Sequence, residues 1–244
     1  ETKALDELIP DWKTKNSPLK TEATDDKFLY LTETKSYQLP TPPQMHNKGN
    51  YIISLSDFTK WLAQQAEELE VEIYPGFSAS EVLFDEKNKV LGVATCDMGR
   101  LKDGSEGPNF ERGIELRAKQ TIFSEGCRGH LGKILMEKYN LNSDNSPQTY
   151  GIGIKELWEI SPENSKPGSI MHTTGWPLDN DTYGGSFLYH LDDNKISIGF
   201  VIGLDYKNPY LSPYQEFQRF KHHPVIKKIL KGGRRINYGA RALN

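Results

Sequence analysis

The sequence predicts a mixed α/β (α+β) fold, and three observations carry that prediction. Residues 51–140 alternate short β-type runs with two stripes of apolar residues at helical spacing. Residues 147–204 place apolar side chains at every second position, which is typical of antiparallel strands with one buried face. A chain of 244 residues is also long enough to bury a hydrophobic core without disulfide or metal staples.

Charge and cysteine content exclude several classes of function. Thirty lysines and arginines against 33 aspartates and glutamates give a net charge of −3, so we expect no nucleic-acid partner. Cys96 and Cys127 are too few for a disulfide framework, a four-cysteine zinc site or an iron–sulfur cluster. The histidines lack the spacing of zinc ligands, and no apolar run approaches 18 residues. Neither a metal site nor a membrane-spanning helix is therefore expected.

The first 50 residues are predicted to be mostly irregular. A short strand is expected at Lys27–Glu33 and extended chain at Lys35–Leu39, followed by a proline-rich spacer. The chain starts at Glu1 without a methionine, and its last residues do not look like the end of a domain. We therefore expect a fragment or a processed chain.

Residues 51–140 are read as alternating strands and helices. Ser56 is a good cap for a first helix, and the prediction places a second helix directly after the glycine-rich turn at 124–129. The helical stripes are Phe58, Trp61, Leu62, Ala66 and Leu69, then Leu131, Ile134, Leu135 and Tyr139. Tyr51–Leu55 is expected to be a short strand or an extended segment. The other predicted strands are Val71–Tyr74, a hairpin of Ser80–Phe84 with Lys89–Cys96, and finally Ile114–Ala118 and Lys119–Phe123, with a polar loop over Asp97–Arg112.

Residues 147–204 predict strands with one bulky face and one nearly bare face. The bulky positions are Ile196, Ile198, Phe200, Ile202 and Leu204, and the alternate positions are Ser197, Gly199, Val201 and Gly203. A helix should then begin at Ser212-Pro213, with Gln215 placed for a capping box, and stop at His222-His223-Pro224. A short helix to Leu230 follows.

Two glycine-rich segments are candidates for ligand contact. The turn at Glu125–Gly129 lies between a strand and a helix, where backbone N–H groups and the helix N-terminus favour an anion. Its spacing alone favours an ordinary tight turn, because a full G-x-G-x-x-G is missing. The pair Gly184-Gly185 opens a strand, where close packing and a shelf for a flat ligand are equally compatible with the pattern.

Longer motifs identify a family. They are Ser124–Leu131, Pro147–Trp158, Thr182–His190, Gly203–Pro213 and Tyr238–Asn244. On these residues the chain resembles the electron transfer flavoprotein-ubiquinone oxidoreductase family over nearly its whole length, most densely after residue 121.

The resemblance implies an architecture. Residues 51–140 would be part of an FAD-binding Rossmann-like domain, and residues 141–244 an antiparallel β-sheet ubiquinone-binding domain with C-terminal helices, interleaved with it. Residues 1–50 would be an irregular connector and edge segment of the quinone domain. The family's N-terminal glycine fingerprint and its [4Fe–4S] cysteines are missing here, so we expect the chain to be a central fragment that is inactive alone.

The resemblance also implies site residues. Ubiquinone would rest against Gly184 and Gly185, and FAD would contact Glu125, Gly126, Arg128, Gly129 and Val82. It identifies no catalytic side chain and no metal ligand.

The function implied is electron transfer from reduced electron transfer flavoprotein, through FAD and the parent's [4Fe–4S] cluster, to ubiquinone. The expected place is the matrix side of the mitochondrial inner membrane, with contact at the membrane surface. Two alternatives remain open: another FAD-dependent oxidoreductase of the aromatic hydroxylase/isoprenoid reductase superfamily, and a non-catalytic quinone-binding module.

Overall fold

The computed structural model describes all residues 1–244 and divides them into two compact units. The larger unit combines Glu1–Leu69 with Gln148–Asn244, and the smaller unit is Glu70–Pro147. The borders of these units differ from the expected borders at residues 50 and 140. Which unit serves a flavin and which a quinone stays a prediction.

The chain forms five α-helices and 14 strands. The helices are α1 (Lys3–Leu8), α2 (Leu55–Glu67), α3 (His130–Lys138), α4 (Pro213–His222) and α5 (Pro224–Leu230). The strands are β1 (Thr21–Glu22), β2 (Asp25–Leu31), β3 (Ser36–Leu39), β4 (Tyr51–Ile52), β5 (Ala79–Phe84), β6 (Val90–Thr95), β7 (Met98–Arg100), β8 (Glu106–Glu111), β9 (Glu115–Arg117), β10 (Gly151–Glu159), β11 (Ser169–Gly175), β12 (Gly184–His190), β13 (Lys195–Gly203) and β14 (Arg234–Leu243). None of the helices has the length and apolar character needed to cross a bilayer.

A seven-stranded sheet dominates the larger unit. Its strand order is β14-β10-β13-β12-β11-β2-β3, and every neighbouring pair is antiparallel except β2 with β11. The predicted antiparallel sheet is confirmed. Strands β14 and β3 form its two edges, and β2 lies between β11 and β3.

One face of this sheet packs against α4 and α5. The period-two residues of β13 are fully buried there, and each such side chain contributes roughly 1.5–3 kcal/mol by leaving water. Ser212 caps α4 by accepting the N–H of Gln215 at 3.4 Å, as predicted. The core residues are Ile196, Ile198, Phe200, Ile202, Phe217, Phe220 and Ile226.

The N-terminal segment forms a second cluster in the larger unit. Trp61 of α2 packs with Leu5 and Trp12, and its indole N–H donates to the carbonyl of Lys15 at 2.9 Å. The cap of α2 is Ser54, whose hydroxyl accepts the N–H of Asp57, so the prediction of Ser56 as the cap is wrong by two residues.

The smaller unit confirms the predicted hairpin and corrects its surroundings. Strands β5 and β6 pair antiparallel, and β9 joins β6. The polar stretch expected to be a loop contains the hairpin β7–β8. Val71–Tyr74 and Lys119–Phe123 are not strands, because a short apolar run forms a strand only where another strand is available to pair with it.

Candidate functional site

The glycine pair lies at the start of β12, inside the large sheet. Gly184 is paired with Ile202 of β13, and Gly185 with Val201. Their Cβ positions point to opposite faces of the sheet, because successive strand residues alternate.

Close packing against main chain accounts for both glycines. A Cβ added at Gly184 would lie 2.4 Å from the Val201 carbonyl oxygen and 2.5 Å from Leu178 Cδ1. One added at Gly185 would lie 2.7 Å from the Thr173 carbonyl oxygen. Any side chain here would push neighbouring strands apart. The sequence pattern was equally compatible with close packing and with a shelf for a flat ligand. Close packing alone explains why both positions require glycine, whether or not a ligand is also bound.

At two of its glycines the second face of the sheet, opposite the helices, is covered by a side chain of a neighbouring strand. The ring of Phe187 lies over Gly199, 2.3 Å from where a Cβ would be, and stacks on Tyr189 at a centroid distance of 4.8 Å. Leu243 covers Gly153 in the same way. At these two positions the expectation of a nearly bare face is wrong, because a glycine in one strand makes room for a large side chain of the next.

A half-buried polar pair on this face was not found from the sequence. His172 of β11 and Tyr189 of β12 are joined by a hydrogen bond of 2.9 Å between Nε2 and the hydroxyl. Burial lowers the pKa of His172, against the opposing charge of Asp26, and burial together with Asp26 raises the pKa of Tyr189. These shifts favour the neutral form of both side chains, and one of the two donates its proton to the other in the hydrogen bond. Only the strand register, which sets His172 opposite Phe187, reveals the pair.

The turn before α3 is built around Glu125. Its carboxylate accepts the N–H groups of Leu131 at 3.3 Å and Gly132 at 2.6 Å, and His130 Nδ1 lies 3.4 Å from it. The side chain thus occupies the helix N-terminus that the sequence had suggested for an anion. Two of the N–H groups that a phosphate would use are already paired.

The backbone of this turn is open at Gly126 but not at Gly129. Gly126 has φ +79° and nothing within 4 Å of the point where a Cβ would lie, whereas a Cβ at Gly129 would collide with Glu125. Arg128 is exposed. The turn therefore fits a ligand portion that lies against the main chain at Gly126 better than a phosphate at the helix end.

Val82 occupies a regular strand. It pairs with Val93 in the β5–β6 hairpin and is half-buried. Helix α3 packs on the same strand, where Phe84 meets Tyr139 at 6.4 Å between ring centroids. Strand β5 and helix α3, which follows the turn, are thus in contact within the smaller unit.

Comparison with known proteins gives the family. Residues 150–243 match the family described as "ETF-QO, ubiquinone-binding". Over 244 residues the chain is 57% identical to an electron transfer flavoprotein-ubiquinone oxidoreductase, mitochondrial, of Dictyostelium discoideum, covering 100% of this chain and 40% of that protein. The protein of the same name from Homo sapiens is 56% identical over 99% of this chain, again 40% of its own length. The one from Arabidopsis thaliana is 53% identical, with 38% of its length covered.

Solved structures share the fold at much lower identity. A geranylgeranyl bacteriochlorophyll reductase-like protein from Thermoplasma acidophilum has a TM-score of 0.65 at 16% identity, covering 91% of this chain and 50% of that one. The flavin-dependent brominase Bmp2 has a TM-score of 0.57 at 16% identity, covering 99% of this chain and 54% of that one. These likenesses concern the fold alone.

The family resemblance recognised from the sequence motifs is confirmed. The chain is related along its whole length to the electron transfer flavoprotein-ubiquinone oxidoreductases, and residues 150–243 correspond to their ubiquinone-binding domain. The chain spans about 40% of the length of these relatives.

Proposed function

We propose that this chain is part of a flavoprotein that passes electrons from reduced electron transfer flavoprotein to ubiquinone. The observation that carries the proposal is the match of residues 150–243 to a ubiquinone-binding family. The whole chain is also 57% identical to a protein named electron transfer flavoprotein-ubiquinone oxidoreductase. Because the chain spans about 40% of that relative, the activity belongs to the full-length protein, and the piece alone is expected to be inactive.

The quinone is proposed to contact the main chain at Gly184 and Gly185. Backbone N–H groups can donate hydrogen bonds to the carbonyl oxygens of a quinone, and backbone C=O groups can accept from the hydroxyls of the reduced quinol, so no titrating side chain is needed. Electron transfer requires proximity more than an acid–base pair. Gly185 shares its face of β12 with Tyr189, whose hydroxyl is hydrogen-bonded to His172. That pair lies four residues along β12 from Gly185 and carries a proton that a reduced quinone could exchange.

FAD is proposed to contact the smaller unit at Glu125, Gly126, Arg128, Gly129 and Val82. The left-handed, open backbone of Gly126 fits a cofactor lying against the main chain. The Glu125 carboxylate holds α3 in place and disfavours a phosphate at the same helix end. When bound, FAD would supply the redox centre that accepts electrons and passes them on.

The remaining parts of the proposal concern partners and place. Electron transfer flavoprotein would be the electron donor, and a [4Fe–4S] cluster would belong to the full-length parent and not to this chain. The protein would act at the matrix side of the mitochondrial inner membrane, in contact with the membrane surface. The mitochondrial names of the relatives support the organelle.

The test uses the full-length protein. We expect it to copurify with FAD, its flavin absorbance to bleach on addition of reduced electron transfer flavoprotein, and the absorbance to return on addition of a short-chain ubiquinone. Direct reduction by NADPH would instead support the hydroxylase or reductase alternative. Absence of flavin together with saturable quinone binding would support the non-catalytic module.

The quinone contact is tested separately by photolabelling. An azido-ubiquinone is irradiated on the full-length protein, and labelled peptides are identified by mass spectrometry. We expect label within residues 183–189 that excess ubiquinone prevents. Competed labelling confined to other segments would overturn the assignment of Gly184 and Gly185 while leaving the enzyme activity intact.

A further inference from the structure

A basic basin lies beside α5, on the side of the sheet that carries the helices. It has a volume of about 650 Å³ and is open to solvent. We call it the α5 basin; its lining residues are Trp158, Gln218, Lys221, His222, Pro224, Lys227, Lys228, Leu230 and Lys231. All of them belong to the larger unit.

The basin lies in the most basic segment of the chain. Residues 217–244 contain eight lysines and arginines and no aspartate or glutamate, although the whole chain has a net charge of −3. Lys227, Lys228 and Lys231 are exposed, and no carboxylate lies within 4.0 Å of any of them. No acidic residue lines the basin. The three ammonium groups are therefore available to an anion.

A buried carboxylate fixes one wall. Glu156 is 2% exposed and accepts two hydrogen bonds from Lys221 Nζ, at 2.8 and 2.9 Å, and one from Arg235 at 3.0 Å. Its single negative charge is matched against two cations, so it does not neutralise the lysines of α5. Lys221 is held in place and leaves the local field positive.

The floor of the basin is apolar. Trp158, Pro224 and Leu230 line the basin together with the cations, and the volume falls within the range of about 300–1,000 Å³ that small-molecule sites occupy. The amide Nε2 of Gln218, also in the wall, is buried without a hydrogen-bond acceptor. The wall thus has an excess of donors over acceptors beside an apolar surface.

We propose that the α5 basin binds a phosphate-bearing amphiphile. The phosphate would meet the ammonium groups of Lys227, Lys228 and Lys231, and the apolar portion would lie against Trp158 and Leu230. A carboxylate surface of a protein would use the lysines but not the concave apolar floor. The same chemistry is offered by a phospholipid at a bilayer and by a soluble phosphate ester, and the experiment distinguishes them. The proposal is independent of the electron-transfer function, because its readout is binding.

The test compares two triple variants of the full-length protein. The basin variant carries Lys227→Gln, Lys228→Gln and Lys231→Gln. The control carries Lys87→Gln, Lys102→Gln and Lys119→Gln, which removes the same charge from exposed lysines of the smaller unit. Binding is measured by cosedimentation with vesicles of phosphatidylcholine, alone or mixed with phosphatidylglycerol. Calorimetry with short-chain dihexanoyl phosphatidylglycerol and with inorganic phosphate measures the soluble source.

We expect wild-type protein to bind the mixed vesicles and not pure phosphatidylcholine. Each lysine near an anionic surface contributes roughly a fivefold factor in affinity, so the basin variant should lose on the order of 100-fold. The control should lose little. Loss of short-chain lipid binding as well would identify a site for single molecules, and loss with vesicles alone would identify the bilayer as the source.

Three outcomes would overturn the proposal. Equal losses in the two triple variants would show that net charge alone acts. Inorganic phosphate binding as tightly as the lipid would show that the apolar floor is not used. Competition by polyglutamate as strong as that by the short-chain lipid would show that the basin receives an acidic polypeptide instead.

Discussion

Replacing Glu156 with leucine should locally destabilise the large sheet. The carboxylate is 2% exposed and is bonded to Lys221, Arg235 and the indole N–H of Trp158. Burial alone would raise the pKa of Glu156, but the hydrogen bonds from Lys221, Trp158 and Arg235 outweigh burial and hold that pKa below its usual value. The residue is therefore a charged anchor at the centre of β10.

The magnitude depends on which partner is left without a counter-charge. Arg235 is 41% exposed and can turn to water, so losing its ion pair costs little. Lys221 is 11% exposed and lies over the rings of Trp158 and Phe217 at 5.6 and 4.8 Å, so its ammonium group would remain largely buried. Breaking a buried pair on one side costs about 3–5 kcal/mol, and we expect the low end because Lys221 borders the open basin.

Hydrogen exchange measured by mass spectrometry on the full-length protein tests this locally. A loss of about 3 kcal/mol corresponds to roughly 100-fold faster exchange in peptides covering β10 and β14. Adding Lys221→Met to Glu156→Leu should restore most of the protection, because an apolar pair can replace a buried ion pair. Exchange in the single variant within a factor of about five of wild type would refute the role given to Glu156.

Three further predictions concern separate sites. Burial, aided by the charges of Lys166 and Lys27, lowers the pKa of His190 to about 4. The free energy of unfolding should therefore keep its full value above pH 6.5 and fall by roughly 3 kcal/mol as the pH drops towards 4. The thermal midpoint should follow the same course, and His190→Asn should make it less dependent on pH. Gly185→Ala should cost about 1–3 kcal/mol through its clash with the Thr173 carbonyl, whereas Gly239→Ala, with nothing within 4 Å, should be almost neutral in the same denaturation assay. Glu125→Ala should cost about 1 kcal/mol and speed exchange in the first turn of α3. Glu125→Gln keeps one of the two acceptor oxygens and should preserve part of that protection.

The parts of the fold that follow from local sequence rules were predictable. Ser212 and Pro213 start α4, and the alternation from Ile196 to Ile202 marks a buried strand face, because each pattern reports an interaction made within a few residues. Val71–Tyr74 failed for the opposite reason. A strand needs a partner, and no local pattern says whether one is present.

Strand β14 is the converse case, because it forms where no local pattern in the sequence indicates a strand. Its sequence alternates glycine, alanine and arginine near the end of the chain and carries no strong apolar pattern. It forms because β10 presents an edge along which nine residues pair with it. The ion pair of Glu156 with Arg235 depends on that pairing, so it was beyond the reach of sequence reasoning.

The glycines of the large sheet show why the quinone contact needs a direct measurement. A period-two pattern of small residues reports that a side chain is missing but not what fills the space. At Gly199 the space holds a phenyl ring, and at Gly184 it holds a carbonyl oxygen and a leucine. Among the glycines of this sheet, Gly239 is the one with nothing within 4 Å, and it lines a cavity of about 620 Å³ together with Lys155 and Leu157.

The bare backbone expected at β12 therefore occurs at β14. A flat ring that needs only exposed amides could lie against Gly239, whereas at Gly184 it would have to use the strand end rather than a cleared face. Photolabelling separates the two places, because residues 183–189 and 237–241 fall in different peptides. Competed label in the second peptide, with none in the first, would move the quinone contact to the β14 edge and leave the glycine pair as a packing feature.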